Sequence, residues 1–212
     1  MGLPQGRIRR AGIQGISLAL GDMPHGMKFD DPKFTKISHR NVWGEWTFIF
    51  EGSKLCGLKF RENTDEVKAT PSNVQACAYA GPDSELQISN RVRSAYRKAV
   101  NELNLYLAGK ICEFSIPIKI YGTDFQKKVL EVTRQIPYGK TWTYKQVAQA
   151  VNHPRAVRAV GNVLHNNPIQ VIIPCHRVID SRGHLSGYAL GVGLKRRLLC
   201  MEGAIPNELM LE

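Results

Sequence analysis

The stretch TYKQVAQAVNHPRAVRAVGNVLHN, residues 143–166, decides how the chain is organised. Apolar residues recur at helical spacing on both sides of NHPR, which contains a proline and an asparagine. This spacing predicts two short helices, the first entered through Thr143 and the second stopped before Pro168. Two short helices around a tight break are typical of a helix-turn-helix, with a generic helical hairpin as the alternative. Ala159 and Gly161 favour the helix-turn-helix, because small residues let a helix lie close to another surface.

The charge of the chain is positive and unevenly distributed. The net charge is +11 at pH 7. Residues 121–200 contain 12 Lys and Arg against 3 Asp and Glu, whereas residues 1–120 contain 17 against 12. A segment with many bases and few acids favours a polyanion such as nucleic acid, with a basic surface that has no such partner as the equal alternative. No window has the ~18 unbroken apolar residues of a membrane span, so we expect no membrane partner.

The cysteine pattern indicates free thiols. The chain contains an odd number of cysteines and no CxxC pair; they are Cys56, Cys77, Cys112, Cys175 and Cys200. This pattern suits neither a zinc ribbon nor a disulfide framework. It favours a reducing compartment in which a reactive thiol can persist.

Residues 28–120 predict a small α/β domain, preceded by a loose leader over residues 1–27. The short apolar run of the leader is interrupted by glycines and is followed by no signal-peptide cleavage motif. Within the domain, aromatic and aliphatic residues alternate on both sides of the turn EGSK. The predicted elements are a hairpin over residues 42–62, a polar loop over 63–89, a helix that begins at Ser89 or Asn90 and ends at Gly109, and an extended segment over 113–122.

Residues 121–212 predict a mostly helical second domain that contains the helix pair. Thr123 caps the first predicted helix, and LKRRLLCMEG forms the last. Between them, the aliphatic run VII at residues 171–173 predicts a buried strand that leads into the sequence Pro-Cys-His-Arg. The fold class predicted for the whole chain is therefore mixed α/β (α+β).

Cys175 and His176 are candidate catalytic residues. A cysteine attacks as the thiolate, which is scarce at neutral pH unless a base or a cation activates the thiol. Neighbouring strand residues point to opposite faces, so His176 needs a turn or a bridging water to reach Cys175. An acid should orient the imidazole, and Glu202 is the first acid after Asp180. The equal alternative for Cys175 is a small buried residue at the end of a strand.

From Gly122 onward the chain resembles the O6-alkylguanine-DNA alkyltransferases, also called methylated-DNA–protein-cysteine methyltransferases. The N-terminal half is similar only in outline, as a small sheet-and-helix domain of ribonuclease-H-like type. The matching motifs stand in the order of the family; they are GTDFQ from Gly122, IPYGKTWTY from Ile136, RAVGN from Arg158, NNP from Asn166, IIPCHRVI from Ile172, and GYALGVGLKRRLL followed by Glu202.

The resemblance implies a DNA repair protein that flips an alkylated guanine out of the duplex and transfers the alkyl group irreversibly to Cys175. Each molecule acts once, and neither a cofactor nor a metal takes part. The resemblance further implies that His176 deprotonates Cys175 through a water and that Glu202 holds His176. Tyr144 would donate a hydrogen bond to the base, and Asn167 would brace the turn that carries Cys175.

The resemblance also implies contacts with the substrate and the DNA. The backbone of Cys175 and Val178 would accept from the guanine amine, and the loop of Tyr188 and Ala189 would wall the pocket. Arg158 would fill the gap that the flipped nucleotide leaves. Each of these side chains has an ordinary structural alternative, such as a solvated arginine or an aromatic residue at the edge of the core. The other residues implied to contact DNA are Gln126, Lys145, His153, Ala156, Ala159, Gly161 and Ser181.

The expected partner is double-stranded DNA that contains O6-alkylguanine, bound by a monomer, with cooperative binding left open. The expected location is the cytoplasm, on the nucleoid, or the nucleus of a eukaryote. A lesion-sensing DNA-binding protein without catalysis is the alternative, and a cysteine hydrolase that uses Cys175 and His176 is a weaker one. Arg177 is expected to form a structural ion pair or to brace the turn. Leu190 departs from the small residue common in the pocket loop, so the range of alkyl adducts stays open.

Overall fold

The computed structural model describes residues 31–62, 88–185 and 188–206, and the structural statements that follow refer to these residues. The predicted leader lies outside them, as does nearly all of the predicted loop over residues 63–89. The described elements form a mixed α/β fold, as the sequence predicts. They are β1 (Phe34–Asn41), β2 (Gly44–Glu51), β3 (Lys54–Arg61), α1 (Asn90–Leu107), α2 (Asp124–Arg134), β4 (Trp142–Thr143), α3 (Tyr144–Ala150), α4 (Val157–His165), β5 (Val178–Ile179) and α5 (Val192–Met201).

Strands β1 to β3 form an antiparallel sheet in sequence order. Successive strand residues point to opposite faces, so Trp46, Phe48 and Phe50 share one face, where all three are fully buried. Phe48 lies opposite Ile37 of β1 and Leu58 of β3, which gives a continuous apolar row across the sheet. The predicted hairpin is confirmed as β2 and β3, and the sheet has one strand, β1, that was not predicted.

Helix α1 covers the apolar face of the sheet. The Ser89 side chain caps it by accepting a hydrogen bond from the backbone of Val92 at 3.4 Å, and Gly109, with φ +67°, follows its end. The residues that α1 buries recur at helical spacing and join the same core as the sheet; they include Val92, Ala95, Ala99, Leu103 and Tyr106. Burial of each large apolar side chain in such a core contributes roughly 1.5–3 kcal/mol.

The predicted helix pair is present as α3 and α4, which pack against each other and against α2. Reciprocal capping boxes fix the start of two helices. Thr123 accepts from the backbone of Gln126 at the start of α2, and Thr143 accepts from Gln146 at the start of α3. Both predicted caps are therefore confirmed. The apolar residues of these helices and of the sheet form one continuous core, and the division into two domains near residue 120 stays a prediction.

The outer edge of β3 is paired with two later segments of the chain. Leu55 donates to the carbonyl of Pro117 at 2.9 Å, and Leu58 donates to the carbonyl of Pro168 at 2.8 Å. Isolated bridges at Leu55 and Leu58, to Ile118 and Ile169, continue this pairing. The segment that leads to the candidate catalytic cysteine is thereby attached to the N-terminal sheet.

The predicted buried strand over residues 171–173 is wrong in its conformation, although these residues are buried. Val171 lies in the left-handed region with φ +69°, which is unfavourable for a β-branched residue. Ile172 donates to the carbonyl of Gln170, and Cys175 donates to that of Ile173, both at 2.8 Å. These tight turns fold the segment back on itself, as the bridge between Gln170 and Ile173 shows.

Among the described residues, no helix has both the length and the apolar character that crossing a membrane requires.

Candidate active site

Cys175 begins a short 3-10 turn that ends at Arg177, and β5 follows directly. This turn, in place of the predicted strand end, sets the directions of the neighbouring side chains. The Cys175 side of the turn is braced by Asn167, whose amide nitrogen donates to the carbonyl of Ile173 at 2.8 Å and to Cys175 Sγ at 3.1 Å. The amide oxygen of Asn167 accepts from the backbone of Ile169 at 3.0 Å. Asn167 thus holds both the approach to the thiol and the thiol itself.

Cys175 is only 7% exposed. Burial raises its pKa, while the hydrogen bond from Asn167 and the charge of Lys195 act in the opposite direction. Because burial has the larger effect, the resting form of Cys175 is the thiol. A base is therefore needed to generate the thiolate.

Glu202 joins the end of α5 to His176, the candidate base, and to Arg177. It caps the C-terminus of α5 and is 5% exposed. Its Oε1 lies 2.7 Å from His176 Nε2, and its two oxygens accept from Arg177 Nε at 2.9 Å and Nη2 at 3.1 Å. Arg177, whose role the sequence left between two alternatives, therefore forms a bidentate ion pair. The turn brace is present as well, because Arg177 Nη1 donates to the carbonyl of Ile136.

These contacts fix the protonation pattern of His176 and Glu202. Burial raises the pKa of Glu202, but the hydrogen bonds and charges of His176 and Arg177 outweigh burial and lower this pKa to about 2. Burial lowers the pKa of His176, against the opposing effect of Glu202. An ionised carboxylate can only accept, so His176 carries its proton on Nε2. Nδ1, which is buried and has no hydrogen-bond partner among the described residues, is then the basic nitrogen.

Gly139 closes the site from the turn after α2. Its backbone nitrogen donates to Glu202 Oε2 at 3.2 Å. Its φ is +70°, and a Cβ at this position would lie 2.9 Å from the backbone oxygen of Glu202. Both the left-handed backbone and the lack of space require glycine here. The PYGK turn therefore serves to hold the end of α5.

Two buried polar residues of the site were not predicted from sequence. Tyr106 of α1 is fully buried, donates from its hydroxyl to Glu202 Oε1, and has that hydroxyl 3.4 Å from His176 Nε2. Lys195 of α5 is 1% exposed and donates to the carbonyl of Val178 at 2.7 Å. Burial lowers the pKa of Lys195 to about 8, while the charge of Cys175 acts in the opposite direction. Neither residue gives a local signal in the sequence, because Lys195 is one of three consecutive basic residues and Tyr106 has the ordinary spacing of a core residue of α1.

The residues implied to contact the base differ in their exposure and in their hydrogen bonds. Tyr144 opens α3 and is half-buried, and burial raises its pKa. A Cβ at Gly161 would lie 3.9 Å from the Tyr144 ring, so Gly161 faces Tyr144 within the protein. The carbonyl of Val178 already accepts from Lys195. Tyr188 is half-buried with a hydroxyl that has no partner among the described residues, and Ala189 is exposed.

The residues implied to contact DNA lie mostly on the outside of the helices. Arg158 and Ala159, at the start of α4, are exposed, and Ala156 is half-buried at its N-cap. The Gln126 side chain is engaged in the capping box of α2, where its oxygen accepts from Thr123 at 2.8 Å. His153 is exposed with its ring 5.5 Å from that of Phe125. Exposed side chains are also those of Lys145 on α3 and Ser181 after β5.

Within the part of the chain that the structure describes, no group of three or more His, Cys, Asp or Glu side chains could hold a metal ion. The expectation that neither metal nor cofactor takes part stays a prediction.

Comparison with known sequences gives consistent matches. Residues 124–204 match the family model described as 6-O-methylguanine DNA methyltransferase, DNA binding domain. A methylated-DNA–protein-cysteine methyltransferase of Methanosarcina barkeri is 49% identical over 107 residues, which cover 50% of this chain and 68% of that protein. One of Mycobacterium bovis is 38% identical over 159 residues, which cover 75% of this chain and 86% of that protein.

Solved structures extend the similarity to the fold of both halves. The Mycobacterium tuberculosis OGT in complex with DNA is 35% identical, with a TM-score of 0.62, and the match covers 82% of this chain and 96% of that one. An O6-methylguanine DNA methyltransferase from Methanococcus jannaschii is 28% identical, with a TM-score of 0.54 over 80% of this chain and 94% of that one. The buried cysteine turn, its histidine and carboxylate, and these matches together place the chain in the family of methylated-DNA–protein-cysteine methyltransferases.

Proposed function

We propose that the protein repairs DNA by flipping O6-alkylguanine, mainly O6-methylguanine, out of the duplex and transferring the alkyl group to Cys175. The transfer is irreversible, so each molecule acts once. The observation that carries the proposal is the arrangement of Cys175, His176 and Glu202. A buried thiol with a raised pKa is followed by a neutral imidazole, and a buried carboxylate fixes the tautomer of that imidazole.

The arrangement supports general-base activation of the thiol. His176 Nδ1 is the basic nitrogen, and a water between it and Cys175 Sγ would pass the thiol proton to the imidazole. Glu202 stabilises the imidazolium that forms, because its carboxylate is ionised and accepts from Nε2. Asn167 donates to Sγ and stabilises the thiolate as it forms.

The group transfer is a single displacement. The thiolate attacks the alkyl carbon on O6, and the new S–C bond forms as the C–O6 bond breaks. The electron pair of the broken bond leaves on the guanine, and Tyr144 stabilises the resulting anion by donating a hydrogen bond from its hydroxyl, which the raised pKa keeps protonated. The guanine anion takes up one proton from water, and the His176 imidazolium returns the thiol proton to water, so the protons balance. The products are an S-alkylcysteine, which is stable as a thioether, and an unmodified guanine.

A base within a duplex cannot bring its O6 to a buried thiol, so the nucleotide must leave the stack at a cost of a few kcal/mol. Arg158 would enter the stack and fill the gap, which its exposure at the start of α4 supports. Lys145 and other exposed residues of the helix pair would contact phosphates. We therefore expect DNA binding to depend on salt and to depend little on sequence.

The test is incubation of the protein with a duplex that contains O6-methylguanine, followed by mass measurement of the intact protein and of its peptides. We expect a gain of one methylene per molecule, located on Cys175, with the total yield limited to one transfer per protein. Cys175→Ser should bind the duplex and gain no mass.

Two other outcomes contradict the proposal in different ways. Tight binding to the lesion with no mass gain would indicate a lesion-sensing DNA-binding protein without catalysis. Repeated turnover of a thioester or peptide substrate would indicate a cysteine hydrolase. Duplex DNA that contains unmodified guanine serves as the control in each experiment.

A further inference from the structure

Tyr106 brings the N-terminal part of the chain into the candidate active site. It lies near the end of α1, the helix that covers the sheet, and its side chain is fully buried. Its ring packs against Phe114 and Tyr138, with centroids 4.9 Å and 6.0 Å away. A ring held in this way directs its hydroxyl to one place, which is Glu202 Oε1.

The hydrogen bonds of Glu202 divide unequally between its two oxygens. Oε2 accepts from Arg177 Nε and from the backbone of Gly139. Oε1 accepts from Arg177 Nη2, from Tyr106 and from His176 Nε2. Tyr106 and His176 therefore share one carboxylate oxygen, and the Tyr106 hydroxyl is 3.4 Å from His176 Nε2.

We propose that Tyr106 is a positioning residue for alkyl transfer, which sets how strongly Glu202 acts on His176. This inference rests on the proposed function, because it assumes that His176 activates Cys175. The hydroxyl of Tyr106 fixes the rotation of the carboxylate so that Oε1 faces Nε2. It also withdraws electron density from Oε1, which weakens the attraction of Glu202 for a proton on the imidazole. The His176 imidazole thereby stays neutral, with Nδ1 free to accept the thiol proton.

Other ionisable groups lie around Tyr106, His176 and Glu202, and a substitution of Tyr106 leaves them unchanged. They are Arg177 of the 3-10 turn, Lys195 of α5, Tyr138 of the turn after α2, Tyr188 of the loop before α5, Cys112 near Tyr138, and Cys175 itself. Arg177 and Lys195 lower the pKa of His176, whereas Glu202 raises it. Tyr106 acts on the pKa of His176 through Glu202. Removal of the Tyr106 hydroxyl should therefore raise this pKa and favour the imidazolium.

The experiment compares the full-length protein with Tyr106→Phe, which keeps the ring and removes only the hydroxyl. Single-turnover rates of methyl transfer to Cys175 from an O6-methylguanine duplex are measured across the acidic pH range at saturating protein. We expect Tyr106→Phe to transfer roughly tenfold more slowly at neutral pH, because the Glu202 carboxylate loses the donor that fixes its rotation toward His176 Nε2. We also expect the acidic limb of the rate profile to move upward by roughly 0.5 pH unit or more, because His176 is protonated more readily.

Tyr138→Phe is the matched control. It removes a neighbouring hydroxyl, which donates to the carbonyl of Met201 at 3.2 Å and is not one of the donors to the Glu202 carboxylate given above. We expect the acidic limb of this variant to stay where it is in the unchanged protein. A ring-fluorinated tyrosine at position 106, which keeps the fold and makes the hydroxyl a stronger donor, should move the limb downward.

The outcomes separate the two proposals. If the unchanged protein does not methylate Cys175, the proposed function is overturned, and the inference about Tyr106 with it. If the unchanged protein transfers the methyl group but Tyr106→Phe has the same rate and the same pH profile, only the role of Tyr106 is overturned. A slower Tyr106→Phe with an unmoved acidic limb, or a limb that fluorination leaves in place, would reduce Tyr106 to a purely structural residue and would also overturn the inference.

Discussion

The turn around Cys175 and the outer side of the helix pair differ in how they meet the solvent. Cys175, His176, Arg177 and Glu202 are all buried, and hydrogen bonds within the protein connect them. On the helix pair, Lys145, Arg158 and Ala159 are exposed, and the described ion pairs do not include them.

The buried residues and the exposed residues should therefore respond differently to substitution. Buried charges interact strongly and tolerate little change, whereas exposed charges interact weakly and are screened by salt. Substitutions in the buried cluster should therefore affect stability and chemistry together. Substitutions on the exposed side should affect DNA binding and leave the fold intact.

The largest effect is expected from Glu202→Gln. This change leaves Arg177 buried without its counterion and should lower the free energy of unfolding by about 3–5 kcal/mol. It also removes the negative charge that stabilises the imidazolium, so methyl transfer should slow by roughly a hundredfold or more. Urea unfolding and single-turnover rates measure the two effects.

The matched control for Glu202→Gln is Glu45→Gln. Glu45 forms its ion pair with Arg40 at the surface, at 3.9 Å, and Arg40 is largely exposed. Its loss should change stability little, because exposed ion pairs contribute little. Equal effects of the two substitutions would contradict the distinction between buried and exposed charges.

Acid should reveal the same buried cluster in the unchanged protein. The pKa of Glu202 is about 2 in the fold against an ordinary 4.5, and the pKa of His176 lies below its ordinary 6.5. In both cases the folded protein binds fewer protons than the unfolded chain, so stability falls as pH falls. The free energy of unfolding should begin to fall below about pH 6.5, where His176 is protonated. Protonation of Glu202 should lower it by roughly a further 3 kcal/mol between about pH 4.5 and pH 2. Urea unfolding at a series of pH values measures it, and Glu202→Gln should flatten the lower part of the curve.

Methylation of Cys175 should destabilise the protein by about 1–3 kcal/mol. The methyl group enters a closely packed site, and it crowds the amide nitrogen of Asn167, which donates to Cys175 Sγ at 3.1 Å. The measurement is the melting temperature before and after reaction with a methylated duplex, with Cys175→Ser taken through the same treatment as the control. A melting temperature that stays the same or rises would contradict this expectation.

The smallest effect is expected from Arg158→Ala on the exposed side. We expect roughly tenfold weaker binding to duplex DNA and a smaller dependence on salt, with stability unchanged. Reaction of Cys175 with free O6-methylguanine base, which needs no flipping, should keep its rate. Arg97→Ala, which removes an exposed arginine from α1, is the control and should leave DNA binding as it is. A loss of stability in Arg158→Ala would contradict the separation of the two regions.

The pattern of neighbouring residues in the sequence was sufficient to predict most of the helices and turns. The helix caps at Ser89, Thr123 and Thr143 were predicted because capping depends on residues three positions apart. The turn EGSK was predicted because aromatic and aliphatic residues alternate on both sides of it. By contrast, residues 171–173 have the composition of a strand but turn twice, because pairing of Ile169 with the edge of β3 and the left-handed Val171 redirect the chain.

The candidate site was predictable only in part. Cys175 and His176 are adjacent, and Glu202 could be proposed as the next acid along the chain. The bidentate pairing of Arg177 with Glu202 and the buried amine of Lys195 depend on how α5 packs against the turn. No periodicity in the sequence encodes such contacts.

The sequence by itself determined which segments form helices, where those helices begin, and which motif carries the candidate catalytic cysteine, because these features depend on neighbouring residues. Only the tertiary structure decided that Cys175 begins a 3-10 turn and that Glu202 holds both His176 and Arg177. It also decided that Tyr106, 96 residues before Glu202 in the chain, reaches the same carboxylate. The physical reason is that a buried charge is stable only where several donors converge, and packing of the whole core brings those donors together.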